Sequence, residues 1–381
     1  MYKKLVLLCL LFSWISVSAQ TDSSRLRISL LTCGTGPEVW ETFGHTALRV
    51  TDSSVGTDMV YNYGTFAFDD DFALQFMRGK LLYYLSFYPY EAFLHEYASA
   101  QRSVEEQVLL LNGRQKQQLY EFLQHNAQSE NRSYKYDFFY DNCATRIRDA
   151  FPRTLGKGFE FGKTAAATNR LTFRNIINQY YYYKHWERFG INILLGSKID
   201  KVMTNEDIMF LPDFLSDGIV GARLNGERIS TDRELIIPGS VKQPTGVNWP
   251  MVTFLIIGVI TILGLTVKSL KPLGNVMSFL LLFITGLLGV LMMVMWLGTD
   301  HQGCSNNTNL LWALPTNLIL AFATKRNKGK YAIIAIVLMV LALLLHLLRV
   351  QELPLLQLWP LLLTLMFIYG TIYRRNKLKS S

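Results

Sequence analysis

The sequence predicts an α+β exported domain followed by an all-α transmembrane bundle of five helices. Two observations predict it. Residues 20–248 mix short alternating segments with helix-period segments, whereas residues 250–373 consist largely of long apolar runs. Charge divides in the same place: residues 20–248 hold 25 Lys and Arg against 27 Asp and Glu, although the whole chain carries +9. The basic excess therefore sits at the amino terminus and between the apolar runs. That reports membrane topology, and nucleic acid is excluded as a partner.

The first residues have the form of a secretory signal. Lys3 and Lys4 supply the charged start, Leu5 to Ile15 the apolar core, and Val17-Ser18-Ala19 a small-residue cleavage site. The expected organisation is a signal over 1–19, a thiol domain over 20–190, an accessory segment and linker over 191–248, a membrane domain over 249–375 and a cytoplasmic tail over 376–381. Once the signal is removed, Cys33, Cys143 and Cys304 remain, an odd number for an exported chain. A Cys33–Cys143 disulfide is the competing reading for those two.

Within the exported domain, Arg27 to Thr32 reads as a strand and Gly34-Thr35-Gly36-Pro37 as a loop. Phe43 to Val50 alternates and reads as a strand that starts at His45, with Val60 to Gly64 as its antiparallel neighbour. Phe72 to Met77 and Pro89 to Ala98 read as helices, Val104 to Leu111 as a strand, and Gln115 to Gln124 as a helix. His95 and His125 fall in polar helical context and read as solvated.

The chemistry concentrates in Asp137-Phe138-Phe139-Tyr140-Asp141-Asn142-Cys143. An aromatic run ends in Asp-Asn, and a lone cysteine opens a helix on which Cys143 and Ile147 share a face. Asp141 or Asn142 suits the N-cap, because either side chain accepts from the free first-turn amides. The helix dipole there is expected to favour thiolate over thiol. A thiol nucleophile needs a histidine to manage its proton, and His45 is the candidate. Asn62, on the strand after it, is the candidate for orienting that ring, with Tyr63 as a rival on the opposite face.

A strand-borne Gly-His followed by Asn-Cys on a helix resembles the circularly permuted papain-like (NlpC-type) thiol hydrolases and acyltransferases. Further stretches resemble the Lnb-type lipoprotein N-acyltransferases of Bacteroidetes: Leu31-Thr32-Cys33, Phe43-Gly44-His45, Tyr61-Asn62-Tyr63-Gly64, Tyr140 to Cys143, Gly196 to Asp200 and Phe210 to Asp213. The resemblance implies that Cys143 takes an acyl chain from a phospholipid as a thioester, with His45 as base. The chain would then pass to the amine of a diacylglyceryl cysteine on lipoproteins. It implies a phospholipid donor, a diacylated lipoprotein acceptor and no cofactor, in the inner membrane with the first domain in the periplasm.

Apolar runs at approximately 250–267, 273–297, 310–324, 331–348 and 354–373 give five spans, the third being short. With the first domain outside, Lys268, Lys271, Lys325, Arg326, Lys328, Lys330 and the basic tail fall inside, against Arg349 outside. The outer loop 299–309 reads as a solvated connector by composition. The resemblance instead implies that Asp300, His301, Asn307 and Asn309, with Tyr63, bind substrate. No metal site is expected, since the histidines show no paired ligand spacing. A cell-envelope cysteine hydrolase and a non-catalytic membrane scaffold are the alternative functions.

Overall fold

A computed structural model describes residues 25–67, 70–241, 246–322 and 328–377. The signal segment expected over 1–19, and Lys325, Arg326 and Lys379 of the charge argument, lie outside the described residues.

The first domain is built on a seven-stranded sheet of antiparallel pairs, in the order β10-β5-β1-β2-β3-β4-β6. Its strands are β1 (Leu26–Cys33), β2 (His45–Asp52), β3 (Thr57–Thr65), β4 (Leu82–Pro89), β5 (Val104–Val108), β6 (Ser133–Lys135) and β10 (Glu234–Ile237). Central β1 is buried on both faces from Ile28 onward, which suits a strand covered on both sides. Leu26, Ile28 and Leu30 enter the larger core, while Leu31 and Cys33 enter a smaller one with Phe93 and Tyr97 of the Tyr90–Ser99 helix. The expected strands at 27–32, 43–50 and 60–64 are present, as are the helices near 72, 90 and 115. β4 was not expected. Its Leu-Tyr-Tyr-Leu-Ser-Phe-Tyr run alternates only weakly, and pairing to β3 and β6 fixes it.

The core of the first domain continues past residue 190. Ile208, Phe210, Leu215 and Ile219 share one core with Ile28 and Leu30, and β10 pairs with β5 at the sheet edge. Residues 191–241, expected as an accessory segment, complete this core. Their separate apolar patches are too short to show as core in one dimension. The small sheet β7 (Phe159–Glu160), β8 (Arg223–Leu224) and β9 (Glu227–Arg228) turns at Asn225 and Gly226, both at positive φ as a two-residue hairpin needs.

Among the described residues, four helices are long and apolar enough to cross a membrane: Trp249–Thr266, Lys268–Leu297, Lys328–Leu347 and Leu355–Lys377. Of the expected third helical span, 310–324, residues 310–322 are described, and among these the helix does not start at the outer end of the run. A 3-10 turn at Thr308–Leu311 is followed by Pro315, and the regular part is Asn317–Phe322. Pro315 disfavours helix in the residue before it, so the apolar run is broken at its outer end. This segment packs along the Lys271–Leu297 helix through glycines: Gly289 faces Ala313 and Pro315, and Gly286 faces Leu318. Asn317 is buried there, donating to Thr285 Oγ1 at 3.2 Å and accepting from Tyr331 and Tyr369 hydroxyls at 2.8 Å each.

The two domains are clasped through the His185–Leu194 helix and the residues after it. Buried Arg174 binds Asp200 at 2.8 and 3.0 Å, and reaches the carbonyls of Leu195 and Gly196 at 3.0 and 2.8 Å. Asp200 also accepts the Glu352 N–H at 3.1 Å, from the outer turn between the last two long helices. Of the Tyr180-to-Trp186 cluster, Tyr181 is buried, whereas Tyr182, Tyr183 and Trp186 are exposed, and Trp186 stands 6.1 Å from the Phe254 ring of the first membrane helix. Aromatic residues at that level suit a membrane–water boundary.

Candidate active site

Cys143 is the first residue of the Cys143–Leu155 helix, and Asn142 is its N-cap. Asn142 Oδ1 accepts the Thr145 N–H at 2.9 Å, and Thr145 Oγ1 accepts the Asn142 N–H at 2.7 Å. Asn142 does more than cap. Its Nδ2 donates to the Phe138 carbonyl at 2.7 Å and the Phe210 carbonyl at 2.9 Å, pinning the turn to the core. Asp141, the other cap candidate, instead pairs with Arg146 at 2.5 and 2.7 Å. Ala144, Ile147 and Phe151 bury one face of the helix, so burial fixes its rotation and brings Cys143 to the end of the sheet.

His45 opens β2, opposite Cys33 of β1. The β2–β3 ladder runs from Asp52 and Thr57 to Leu48 and Tyr61 and stops there, and the β3–β4 register slips between Tyr63 and Thr65. The sheet is therefore open where the helix arrives. Gly64 sits in this opening at φ +110°. A Cβ on it would stand 3.3 Å from His45 Cε1, 4.0 Å from His45 Nδ1 and 3.7 Å from Cys143 Cβ. The histidine and the cysteine, from elements about a hundred residues apart in sequence, thus meet over this one glycine.

The other ring nitrogen is held. His45 Nε2 lies 2.6 Å from Asn62 Oδ1, and Asn62 Nδ2 donates to Tyr88 Oη at 3.2 Å. Because the Asn62 amide nitrogen is used on Tyr88, its oxygen faces the ring and Nε2 carries the proton. Nδ1 is left as the basic nitrogen on the Gly64 side. Tyr88 donates onward to Glu96 Oε2 at 3.3 Å.

Burial dominates the electrostatics. It pushes the Cys143 thiol up to about 11, although the backbone N–H groups of Thr46, Ala144 and Cys143 itself point at the sulfur and lower it. It also pulls the His45 imidazole down to about 4, against the Asn62 hydrogen bond that raises it. The thiolate expected from the helix dipole is therefore not the resting state: the dipole acts, and desolvation exceeds it. The pair rests as neutral thiol and neutral imidazole. Cys33 is not disulfide-bonded to Cys143; both are free, and Cys33 is fully buried between the sheet and the Tyr90–Ser99 helix.

The other candidates fall elsewhere. Tyr63 is 2% exposed and packs in the core against Tyr134, on the face away from Asn62. Asn307 and Asn309 are buried and spent on structure. Asn309 Nδ2 donates to the Asn192 and Ile193 carbonyls at 3.1 Å each while its oxygen accepts from Trp312 at 2.8 Å. Asn307 Nδ2 donates to the Ile193 and Leu194 carbonyls at 2.8 and 3.0 Å. These carbonyls end the His185–Leu194 helix and have no partner within it, so the asparagines cap it from the membrane domain. Neither keeps an amide N–H for a substrate. Asp300 pairs with Lys135 at 2.5 Å, and His301 Nε2 lies 2.9 Å from the Phe76 carbonyl. The loop thus joins the domains close to the cysteine turn, where Gly303 packs on Phe139.

Sequence reasoning placed Gly64 only within the Tyr61–Gly64 stretch, with no role, and missed the Thr46 N–H and Tyr88. A glycine beside a strand tyrosine carries no signal of its own, and a backbone N–H carries none at all.

Two family models match the chain: residues 16–182 match one described as the Lnb N-terminal periplasmic domain, and residues 242–379 one described as the Lnb transmembrane domain. No curated protein and no solved structure matches it. The fold agrees with this pair: a periplasmic domain of sheet and helices precedes a membrane region of several apolar helices, as in a multi-pass membrane protein.

Proposed function

Since this chain belongs to the Lnb family, we propose that it is a lipoprotein N-acyltransferase working through a Cys143 thioester. The observation that carries this reading is the meeting of Cys143 and His45 over Gly64, with Asn62 on the far ring nitrogen. On this reading the arrangement is a circularly permuted papain-like thiol site.

In the first half-reaction His45 Nδ1 takes the thiol proton as Sγ attacks the ester carbonyl of a phospholipid. The Cys143 and Thr46 N–H groups, already turned to the sulfur, receive the negative charge on the tetrahedral oxygen. The imidazolium gives its proton to the departing glyceryl oxygen, leaving a lysophospholipid and the thioester. In the second half, the amine of a diacylglyceryl cysteine attacks the thioester, His45 takes an amine proton, and the thiol is restored as the amide forms. Asn62 holds the ring in the tautomer that both halves need. Neutral resting partners suit a site that must first admit an uncharged ester group.

The membrane domain is read as crossing five times in the inner membrane. The outer loops 298–312 and 349–353 both clasp residues 192–200, through Asn309 and Asn192 and through Glu352 and Asp200. The chain is thus on one side at both loops, and the Lys328–Leu347 helix supplies one crossing between them. On this reading the apolar run 310–324 supplies the other. Donor and lipid-anchored acceptor can then both reach the site by diffusing in one leaflet.

The test is mass spectrometry of purified protein incubated with phospholipid alone. A hydroxylamine-sensitive acyl adduct is expected on the Cys143 peptide, absent in Cys143→Ala and slowed in His45→Ala. Release of the adduct by a diacylated lipopeptide, with the amide as product, separates transfer from hydrolysis; no adduct at all rejects the nucleophile.

A further inference from the structure

The Phe72–Arg78 helix exposes a group of large apolar side chains on the periplasmic domain. Leu74, Phe76 and Met77 are 40%, 50% and 56% exposed, and the chain continues with exposed Arg78 and Lys80. An apolar face that ends in basic residues is the composition of a helix lying in a lipid interface.

Its position decides the occupant. The Asp300 N–H donates to the Arg78 carbonyl at 2.9 Å, and His301 Nε2 lies 2.9 Å from the Phe76 carbonyl. His301 also stands edge-on to the Phe76 ring at 6.2 Å, and its backbone closes on Gly79, which has no Cβ to obstruct it. Asp300 and His301 follow within four residues of Leu297, the last residue of a 27-residue membrane helix. A helix of that length exceeds the hydrocarbon thickness of about 30 Å, so its end stands at the headgroups. The Phe72–Arg78 helix is therefore fastened at the level of the outer lipid surface.

We propose that this helix is a separate membrane contact of the periplasmic domain, with Leu74, Phe76 and Met77 inserted among the acyl chains of the outer leaflet and Arg78 and Lys80 at lipid phosphates. From its face a row of rings leads inward. Phe76 stacks on Phe72 at 6.2 Å, Phe72 on Phe66 at 5.4 Å, Phe66 meets Tyr83 at 5.0 Å, and Tyr83 stacks on Tyr136 at 4.1 Å. Tyr83 and Tyr136 both lie within electrostatic reach of the Cys143 sulfur. The row gives an acyl chain an apolar path from the leaflet to the nucleophile; this part rests on the proposed function, whereas the membrane contact does not.

The test uses the full chain in vesicles of phosphatidylethanolamine and phosphatidylglycerol, with benzoylphenylalanine placed at position 76. Val294, exposed on the membrane helix, is the positive control, and Val55, in the turn at the far end of β2 from His45, the negative one. After irradiation, a phospholipid adduct is expected at 76 in a yield comparable to 294, and none at 55. An adduct at 294 with only protein cross-links, or none, at 76 overturns the contact. For the path, Phe76→Glu with Met77→Glu is expected to lower the ratio of Cys143 acylation by vesicle phospholipid to that by a soluble short-chain p-nitrophenyl ester about tenfold. Equal slowing with both donors overturns the path. If neither donor acylates even the unaltered protein, the thioester reading fails while the cross-link still decides the membrane contact.

Discussion

His45 gives its Nε2 to Asn62 Oδ1 at 2.6 Å and turns its Nδ1 edge to Gly64, beyond which lies Cys143. Asn62→Ala removes the group that selects this tautomer. Acylation of Cys143 is expected to slow by about a hundredfold, within the usual range for a positioned acid–base group. Asn62→Asp replaces the amide by a carboxylate, which raises the His45 pKa from about 4. The ring then stays protonated to higher pH, so the acid limb of the acylation profile should move upward. An unmoved limb would show that Asn62 does not govern the ring.

The thiol makes a second prediction. With its pKa raised to about 11, Cys143 should react with iodoacetamide faster as pH rises. The rate is expected to grow about tenfold per pH unit between 7 and 10, because only the thiolate reacts. A plateau near neutrality would reveal an imidazolium–thiolate pair at rest instead.

Gly64→Ala tests the meeting point. The backbone at φ +110° resists a side chain, and the added Cβ would press on His45 Cε1 at 3.3 Å. Acyl-adduct formation should fall at least as far as in Asn62→Ala. The thermal midpoint should drop by only a few degrees, since the site lies at the sheet end. Full activity would place the catalytic pair elsewhere.

Asn309→Leu separates clasp from substrate contact. It leaves the buried Trp312 indole N–H without its acceptor, at about 1–3 kcal/mol, and takes one donor each from the Asn192 and Ile193 carbonyls, which keep Arg174 and Asn307. The detergent-solubilised protein should melt several degrees lower, with KM for phospholipid unchanged in the fraction that folds. A raised KM at unchanged melting temperature would restore a headgroup role.

Much of this was legible in one dimension because it depends on neighbours in sequence. Asn142 before Cys143 reads as a cap since capping spans three residues, and the strand beginning at His45 reads from its alternation. The charge division announced the membrane domain, and the order Gly-His then Asn-Cys suggested the family. Short-range periodicity, caps and composition survive folding unchanged.

Tertiary structure alone decided the rest. Desolvation set the Cys143 thiol as neutral against the helix dipole, and burial is a property of the packed chain. Pro315 and the Asn309 clasp broke the outer end of an apolar run, and long-range pairing made β4 and β10 strands. Above all, Gly64 brings His45 and Cys143 together through the absence of a side chain, which only the approach of two distant elements could make visible.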